Sequence, residues 1–303
     1  MTLDCGEGVE LKADKDTTFY IALPQGNYTD LKFELKNGSV VEDTTFSMNF
    51  KAGQIRTKEL TGISVVKPTT LPGEFSVSAN TKVKFSKGNL YYDGTTDNKW
   101  KFEANQYDFR TYNGNGSCIN GTYNKDGGTP TNDWGLFGWS TSSTDYGKNV
   151  STSNSAYSGG FKDWGGITDL PDNAGGSTWR TLTDAEWDYL LNTRTNASSL
   201  RARVTLEITE TVSVPGLVIL PDGSTATANT VTTAALVESS GAVFLPVSGR
   251  RPGTDVYNVG SYGYYWSSTP NGTDDAYYMG FSSDAALTDH YSRYLGIAVR
   301  LVR

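Results

Sequence analysis

The sequence predicts an α+β protein built mainly from short, twisted antiparallel strands with few helices. Its 303 residues include 33 Gly, 18 Tyr and 12 Phe, a composition typical of chains rich in turns and aromatic side chains. Apolar and polar residues alternate in short runs that are separated by turn residues, which indicates strands that are buried on one face. The length favours two domains.

The first domain is predicted to be small and all-β, covering residues 1–66. Its strands follow from alternating runs at residues 19–21, 31–35 and 46–50. The dipeptide Asn37-Gly38 favours a tight hairpin turn, because both residues tolerate positive φ. Two prolines and a glycine then predict a linker over residues 67–74.

The second domain is predicted over residues 75–303. Its strands are indicated by apolar or alternating runs at residues 75–78, 83–85, 89–92, 100–102, 204–208, 217–220 and 243–247. The alternation of Ile297, Val299 and Leu301 predicts a terminal core strand. Trp266, within the aromatic run at residues 264–266, is interpreted as core.

One helix has clear sequence signals. Thr183 and Glu186 have the spacing of a capping box, and Trp187, Leu190 and Leu191 fall on one helical face. These signals predict a helix over about residues 184–192.

Charge and hydropathy exclude two classes of partner. The 26 Lys and Arg against 33 Asp and Glu give a net charge of -7, so binding to nucleic acid or an anionic membrane lacks an electrostatic driving force. No apolar run approaches the ~18 residues that a bilayer span requires. We therefore expect no nucleic-acid partner and no transmembrane segment in this chain.

The sequence carries no catalytic motif, so we expect no enzymatic activity. Cys5 and Cys118 are its two cysteines, and their separation excludes thiolate zinc clusters and CxxC redox motifs. We expect that they are not a redox pair, although a disulfide between them is compatible with export. His290 is the one histidine, and we interpret it as a solvated loop residue because no GxSxG nucleophile motif accompanies it.

The first domain contains the sequence FYIALPQGNYTDL at residues 19–31 and the sequence FKAGQI at residues 50–55. Through these two segments it resembles the C-terminal strands of fimbrillin-like proteins of Bacteroidota. The resemblance implies part of a fimbrillin β-sandwich.

Four stretches of the second domain share their order and spacing with a known family: residues 83–90 with Trp100, Phe102, Tyr107 and Asp108; residues 136–139 with Tyr146 and Gly147; residues 179–187; and residues 264–269 with 299–303. Through them the domain resembles the Fibrobacter succinogenes major paralogous domain family, whose fold is related to C-type lectins and to formylglycine-generating enzymes. The resemblance implies a C-type-lectin-like fold. Formylglycine generation is not implied, since no cysteine follows Cys118, and the tripeptides of calcium-dependent lectins are absent.

Together the two resemblances imply a noncatalytic protein of the cell surface, either associated with the outer membrane or secreted, that binds a glycan or protein ligand in adhesion. Two alternatives remain open at this point. One is a glycoside hydrolase that uses a pair of carboxylates, and the other is a structural pilus or tip subunit within a surface assembly.

Tyr, Ser, Gly and Asp dominate residues 257–295, a composition typical of adaptable binding surfaces. Residues 264–303 resemble the segment that carries the variable positions in lectin-like proteins diversified by retroelements, and this resemblance implies ligand contacts near the C-terminus. Tyr and Arg dominate binding hot spots, so we expect Tyr277, Tyr291 and Arg293 to be the anchors. Strand alternation predicts that either Tyr277 or Tyr278 is core instead. The full set is Asn271, Asp274, Asp275, Tyr277, Tyr278, Ser282, Asp284, Asp289, Tyr291 and Arg293.

No cofactor is expected. Asp274, Asp275, Asp284 and Asp289 could supply oxygen ligands to Ca²⁺, but their spacing is not that of an EF-hand. We interpret them as solvated loop carboxylates, because acidic residues are mostly exposed.

Overall fold

The computed structural model divides the chain into two compact units, residues 1–68 and 69–303, and each is described by itself. The structure describes residues 26–37, 40–50, 69–111, 132–171, 173, 178–282 and 285–303. Cys5, Cys118, Asp284 and the predicted strand at residues 19–21 lie outside these ranges.

The first unit contains an antiparallel hairpin. Strand β1 (Gly26–Asn37) pairs with β2 (Val40–Phe50), and the register shifts between Tyr28 and Leu31. The two alternating runs at residues 31–35 and 46–50 lie within these strands. Asn37 pairs with Val40. Gly38, the second residue of the predicted turn, lies outside the described residues.

The second unit consists of small antiparallel sheets. The strands are β3 (Phe75–Ser76), β4 (Lys82–Val83), β5 (Leu90–Asp93), β6 (Lys99–Phe102), β7 (Arg201–Thr209), β8 (Val212–Ile219), β9 (Val243–Pro246), β10 (Arg251–Pro252), β11 (Gly263–Asn271), β12 (Asp275–Phe281), β13 (Ala286–Ser292) and β14 (Leu295–Gly296). Strands that are consecutive along the chain pair to build four sheets, β3-β4, β5-β6, β7-β8-β9 and β11-β12-β13, and β10 pairs with β14. This confirms the expectation of mainly antiparallel strands with few helices.

The predicted helix begins as expected and changes type after its first turn. The α-helix α1 (Asp184–Asp188) has a complete capping box, in which the Glu186 N–H donates to Thr183 Oγ1 at 3.2 Å and the Thr183 N–H donates to Glu186 Oε2 at 2.9 Å. A π-helical segment, Tyr189–Thr193, follows it. A second short helix, α2 (Ala234–Ser239), was not predicted.

The core of the second unit is strongly aromatic. Residues from α1, β9, β11 and β12 form one buried cluster, which includes Trp187, Leu245, Tyr265 and Met279. A second cluster contains five tryptophans: Trp100, Trp139, Trp164, Trp179 and Trp266. The burial of Trp266 agrees with its interpretation as core.

The prediction of a terminal strand is wrong, because the last residues of the chain do not form a regular strand. Residues 297–302 form only isolated bridges, among them Ile297 to Phe137 and Val302 to both Phe85 and Arg180. The segment is buried on both sides, because Ala298, Arg300 and Val302 are buried as well as the predicted residues. It therefore threads between several elements, and its bridge to the long strand β11 joins Ala298 to Tyr265.

Candidate functional site

The β11-β12-β13 meander carries most of the predicted contact residues on two opposite faces. Tyr278 lies opposite Trp266 on β11 and Asp289 on β13, whereas Tyr277 lies opposite His290. Side chains directly opposite each other in a sheet share a face. Tyr278, Asp289 and Tyr291 therefore lie on one face, and Asp275, Tyr277 and His290 lie on the other.

The first of these faces carries a row of four tyrosine rings. Tyr262 stacks on Tyr264 with ring centroids 5.9 Å apart, Tyr264 contacts Tyr278 edge to face at 5.5 Å, and Tyr278 contacts Tyr291 at 6.2 Å. The Arg250 guanidinium lies 5.0 Å from the Tyr291 ring centroid and donates a hydrogen bond to its hydroxyl. We call these five residues the tyrosine–arginine surface: Arg250, Tyr262, Tyr264, Tyr278 and Tyr291.

The two ends of the row are accessible to a ligand, and its middle is packed. Tyr262 is 43 % exposed and Tyr291 is 37 % exposed, whereas Tyr264 and Tyr278 are buried. Tyrosine offers a large rigid ring and a polar hydroxyl at low conformational entropy cost, which suits it to ligand contact.

The loop between β9 and β11 positions Tyr262 and Arg250. The Gly249 N–H donates to the Tyr262 carbonyl at 3.0 Å, and Asn258, at φ 63°, accepts from the Tyr262 N–H at its carbonyl. The Asn258 side chain also donates to the Tyr264 hydroxyl at 3.2 Å. Gly249 has φ 71°, and a Cβ there would lie 2.3 Å from the Tyr257 carbonyl oxygen. Glycine is therefore required at this turn.

Gly280 allows the Tyr278 ring to lie along the sheet. A Cβ at position 280 would come within 2.6 Å of a Tyr278 ring carbon. Because residue 280 has no side chain, the ring occupies its place on the face, between Tyr264 and Tyr291.

The tyrosine–arginine surface is neutral in its centre and positive at Arg250. Burial is the main cause that raises the pKa of the Tyr278 phenol, and the nearby Asp289 carboxylate raises it further. Burial also raises the pKa of Tyr264. Both hydroxyls stay protonated at neutral pH. Within the described ranges, Arg250 has no carboxylate within salt-bridge distance.

Two predicted contact residues are buried, and for Arg293 this is a correction. Tyr278 is 7 % exposed and is the core member of the Tyr277–Tyr278 pair, as strand alternation requires. Arg293 is 4 % exposed and is not an outward anchor. Its guanidinium lies 4.3 Å from the Trp139 ring centroid and donates only to backbone carbonyls, those of Tyr157, Gly159, Gly272 and Asp275. Arg293 thus fastens the meander to the loop at residues 157–159.

The other predicted residues are distributed around the meander. Asn271 and Asp274 lie at the turn between β11 and β12, with Asp274 exposed, and Ser282 is half-buried just after β12. Asp284 lies outside the described residues. Asp289 is exposed on the same face as Tyr278.

His290 belongs to β13 and not to a loop, contrary to the sequence interpretation. Its Nδ1 lies 3.1 Å from Asp275 Oδ2, and its ring contacts Tyr277 edge to face. The His290 side chain is about half exposed. These three residues form a small polar group on the face opposite the tyrosine–arginine surface.

A buried carboxylate elsewhere has a structural role. Burial raises the pKa of Asp163, but the oxygens of this side chain accept hydrogen bonds from the N–H groups of Gly165 and Thr181 and from the Thr181 hydroxyl. Asp163 thereby caps the 3-10 turn at Trp164–Gly166.

In the described part of the chain, no three His, Cys, Asp or Glu side chains are grouped so that they could hold a metal ion. No helix in those ranges is long and apolar enough to cross a membrane.

Sequence reasoning missed Arg250 and Tyr262. Tyr262 belongs to the Tyr-rich composition that begins at residue 257, and this composition was the available signal. Arg250 carried no signal, because its position near Tyr291 arises from the folding of the loop onto a strand that lies 41 residues later.

One family model matches part of the chain. It is DUF8237, described as a domain of unknown function, and it matches residues 224–302. The match includes the whole tyrosine–arginine surface. No curated protein and no solved structure matches the chain.

Proposed function

We propose that this protein is a noncatalytic cell-surface protein that binds a glycan or protein ligand through the tyrosine–arginine surface. The observation that carries the proposal is the row of tyrosine rings on a three-stranded sheet, with half-exposed rings at both ends and a guanidinium beside one of them. Rigid aromatic anchors next to an arginine are typical of binding hot spots.

The scaffold around this surface favours binding. The β12-β13 pairing is continuous, and the β11-β12 pairing is interrupted by a register shift between Trp266 and Pro270. The opposite face of the meander packs into the buried cluster with Tyr265, Met279 and Phe281. Contact residues whose rotamers are locked by packing lose little entropy when a ligand binds. The sequence resemblance to C-type-lectin-like domains supports the same function and a location at the cell surface.

The test is a binding screen on glycan arrays and on intact cells with the purified chain. For a ligand found there, Tyr262→Ala and Tyr291→Ala should each weaken binding by about 2 kcal/mol, the size expected at a hot spot. Tyr189→Ala, in the π-helical segment outside the surface, serves as the matched control and should retain full affinity. Full affinity in both surface variants would place the binding site elsewhere on the chain.

A further inference from the structure

The chemical groups of the tyrosine–arginine surface indicate which class of ligand it binds. This inference rests on the proposed function. The Arg250 side chain donates to the Tyr291 hydroxyl, and its Nε is buried with no hydrogen-bond partner. Its second terminal nitrogen makes no hydrogen bond to any residue that the structure describes. A ligand cannot reach the buried Nε, but the remaining N–H groups of the two terminal nitrogens can donate to it. A carboxylate is the partner that a guanidinium binds through two parallel hydrogen bonds.

The surroundings of Arg250 argue against a ligand with many negative charges. Asp289 lies opposite Tyr278 on the same face, and both Asp289 and Arg250 act on the Tyr278 phenol. The whole chain carries a net charge of -7, which repels polyanions. One accessible cation beside one carboxylate therefore fits a ligand with a single acidic group and several neutral hydroxyls.

The remaining groups fit a sugar ring. The exposed rings of Tyr262 and Tyr291 offer flat apolar surface for the C–H face of a pyranose. Asp289 can accept hydrogen bonds from sugar hydroxyls, since one of its oxygens accepts from the His290 N–H and the other makes no bond to a described residue. Aromatic surface, a hydroxyl acceptor and an available guanidinium thus lie on one face.

We propose that the tyrosine–arginine surface binds a saccharide that carries a carboxylate, with Arg250 as the residue that recognises the carboxylate. Two kinds of sugar supply this chemistry, uronic acids and sialic acids. In both, the carboxylate pairs with Arg250 while the ring lies against Tyr291 or Tyr262.

The test compares matched pairs of ligands on the full chain by calorimetry or NMR titration. The first pair is methyl β-glucuronide and methyl β-glucoside, and the second is sialyllactose and lactose. At least one acidic sugar should bind about tenfold or more tightly than its neutral counterpart, the effect expected of one charged hydrogen-bonded pair. The pair that shows the difference identifies the kind of sugar.

Variants of Arg250 then test whether this residue causes the preference for the acidic sugar. Arg250→Gln should remove the preference for the acidic sugar, and Arg250→Lys should retain part of it, because lysine keeps the charge but not the two-pronged geometry. Lys99→Gln, at an exposed cation on β6 outside the surface, should leave the preference unchanged. Circular dichroism and thermal unfolding of each variant confirm that it is folded.

Three results would overturn the inference. They are equal binding of the acidic and neutral sugars, a preference that survives Arg250→Gln, and no binding of any of the four sugars at millimolar concentration. The proposed function fails by a different result, full affinity of Tyr262→Ala and Tyr291→Ala for a ligand found in the wider screen. The two failures are therefore distinguishable.

Discussion

Replacing Arg293 with alanine should destabilise the second unit strongly, although the residue lies in a polar surface-like stretch of sequence. The guanidinium is buried, and its Nε donates to the Asp275 carbonyl at 3.1 Å while one terminal nitrogen donates to the Gly272 carbonyl at 2.9 Å. Longer bonds reach the carbonyls of Tyr157 and Gly159 at 3.4 and 3.3 Å. Truncation leaves these acceptors without their donor.

The magnitude follows from these contacts. Each of the two shorter bonds has a charged donor and contributes about 1.5–3 kcal/mol. The cation–π contact with Trp139 adds roughly 1 kcal/mol. Removing a buried cation also removes its desolvation cost, which offsets part of the loss. We expect a net decrease of about 4 kcal/mol in the free energy of unfolding, or about 8 to 16 °C in Tm for a domain of this size.

The assay is denaturant unfolding of the purified variants, followed by tryptophan fluorescence. Arg293→Lys should lose about half as much stability, because the ammonium reaches fewer of the carbonyls. Tyr291→Ala, two residues away and exposed, is the control and should cost about 1 kcal/mol or less. If Arg293→Ala and Tyr291→Ala unfold at the same denaturant concentration, the assignment of Arg293 as a structural clamp is wrong.

Three further changes test other parts of the structure. Gly280→Ala should lower the free energy of unfolding by about 1–3 kcal/mol and weaken ligand binding, because the added methyl group collides with the packed Tyr278 ring. A variant with the stability and affinity of the wild type would contradict this. Thr183→Ala should lower the free energy of unfolding by about 1 kcal/mol through loss of the capping box with Glu186, as measured in urea; an unchanged midpoint would argue against it. Burial raises the pKa of Tyr157 to about 12. The folded state thus keeps a proton that the unfolded state loses above pH ~10, so stability should fall between pH 10 and 12, and Tyr157→Phe should show a shallower fall in alkaline unfolding curves. An identical slope in wild type and variant would refute that assignment.

Local signals predicted the elements that depend on neighbouring residues. The capping box of Thr183 and Glu186 placed the start of α1 correctly, since both partners lie within one turn. The end of the helix was not predictable in the same way. There the Arg194 N–H donates to the Tyr189 carbonyl, and the Arg194 side chain binds the Leu220 carbonyl and Asp222, which lie more than 25 residues later.

The candidate site was predicted only where it depends on neighbouring residues of one strand. Strand alternation correctly implied that one of Tyr277 and Tyr278 is core, because the two faces of a strand follow from its sequence. It could not show that Arg293 is buried, because the partners of Arg293 are backbone carbonyls, including those of Tyr157 and Gly159 from a distant loop. Every residue has a backbone carbonyl. A side chain whose partners are all carbonyls therefore leaves no pattern of residue types in the sequence.

The central claim, that ligand binds the tyrosine–arginine surface, is tested most directly by hydrogen–deuterium exchange of the chain with and without a ligand from the screen. The account predicts slower exchange in peptides that cover residues 249–264 and 286–293, with unchanged exchange in peptides that cover residues 132–166, a segment outside the tyrosine–arginine surface that contains Trp139 and Trp164. Protection confined to residues 132–166, with none in the meander or in the loop before β11, would contradict it.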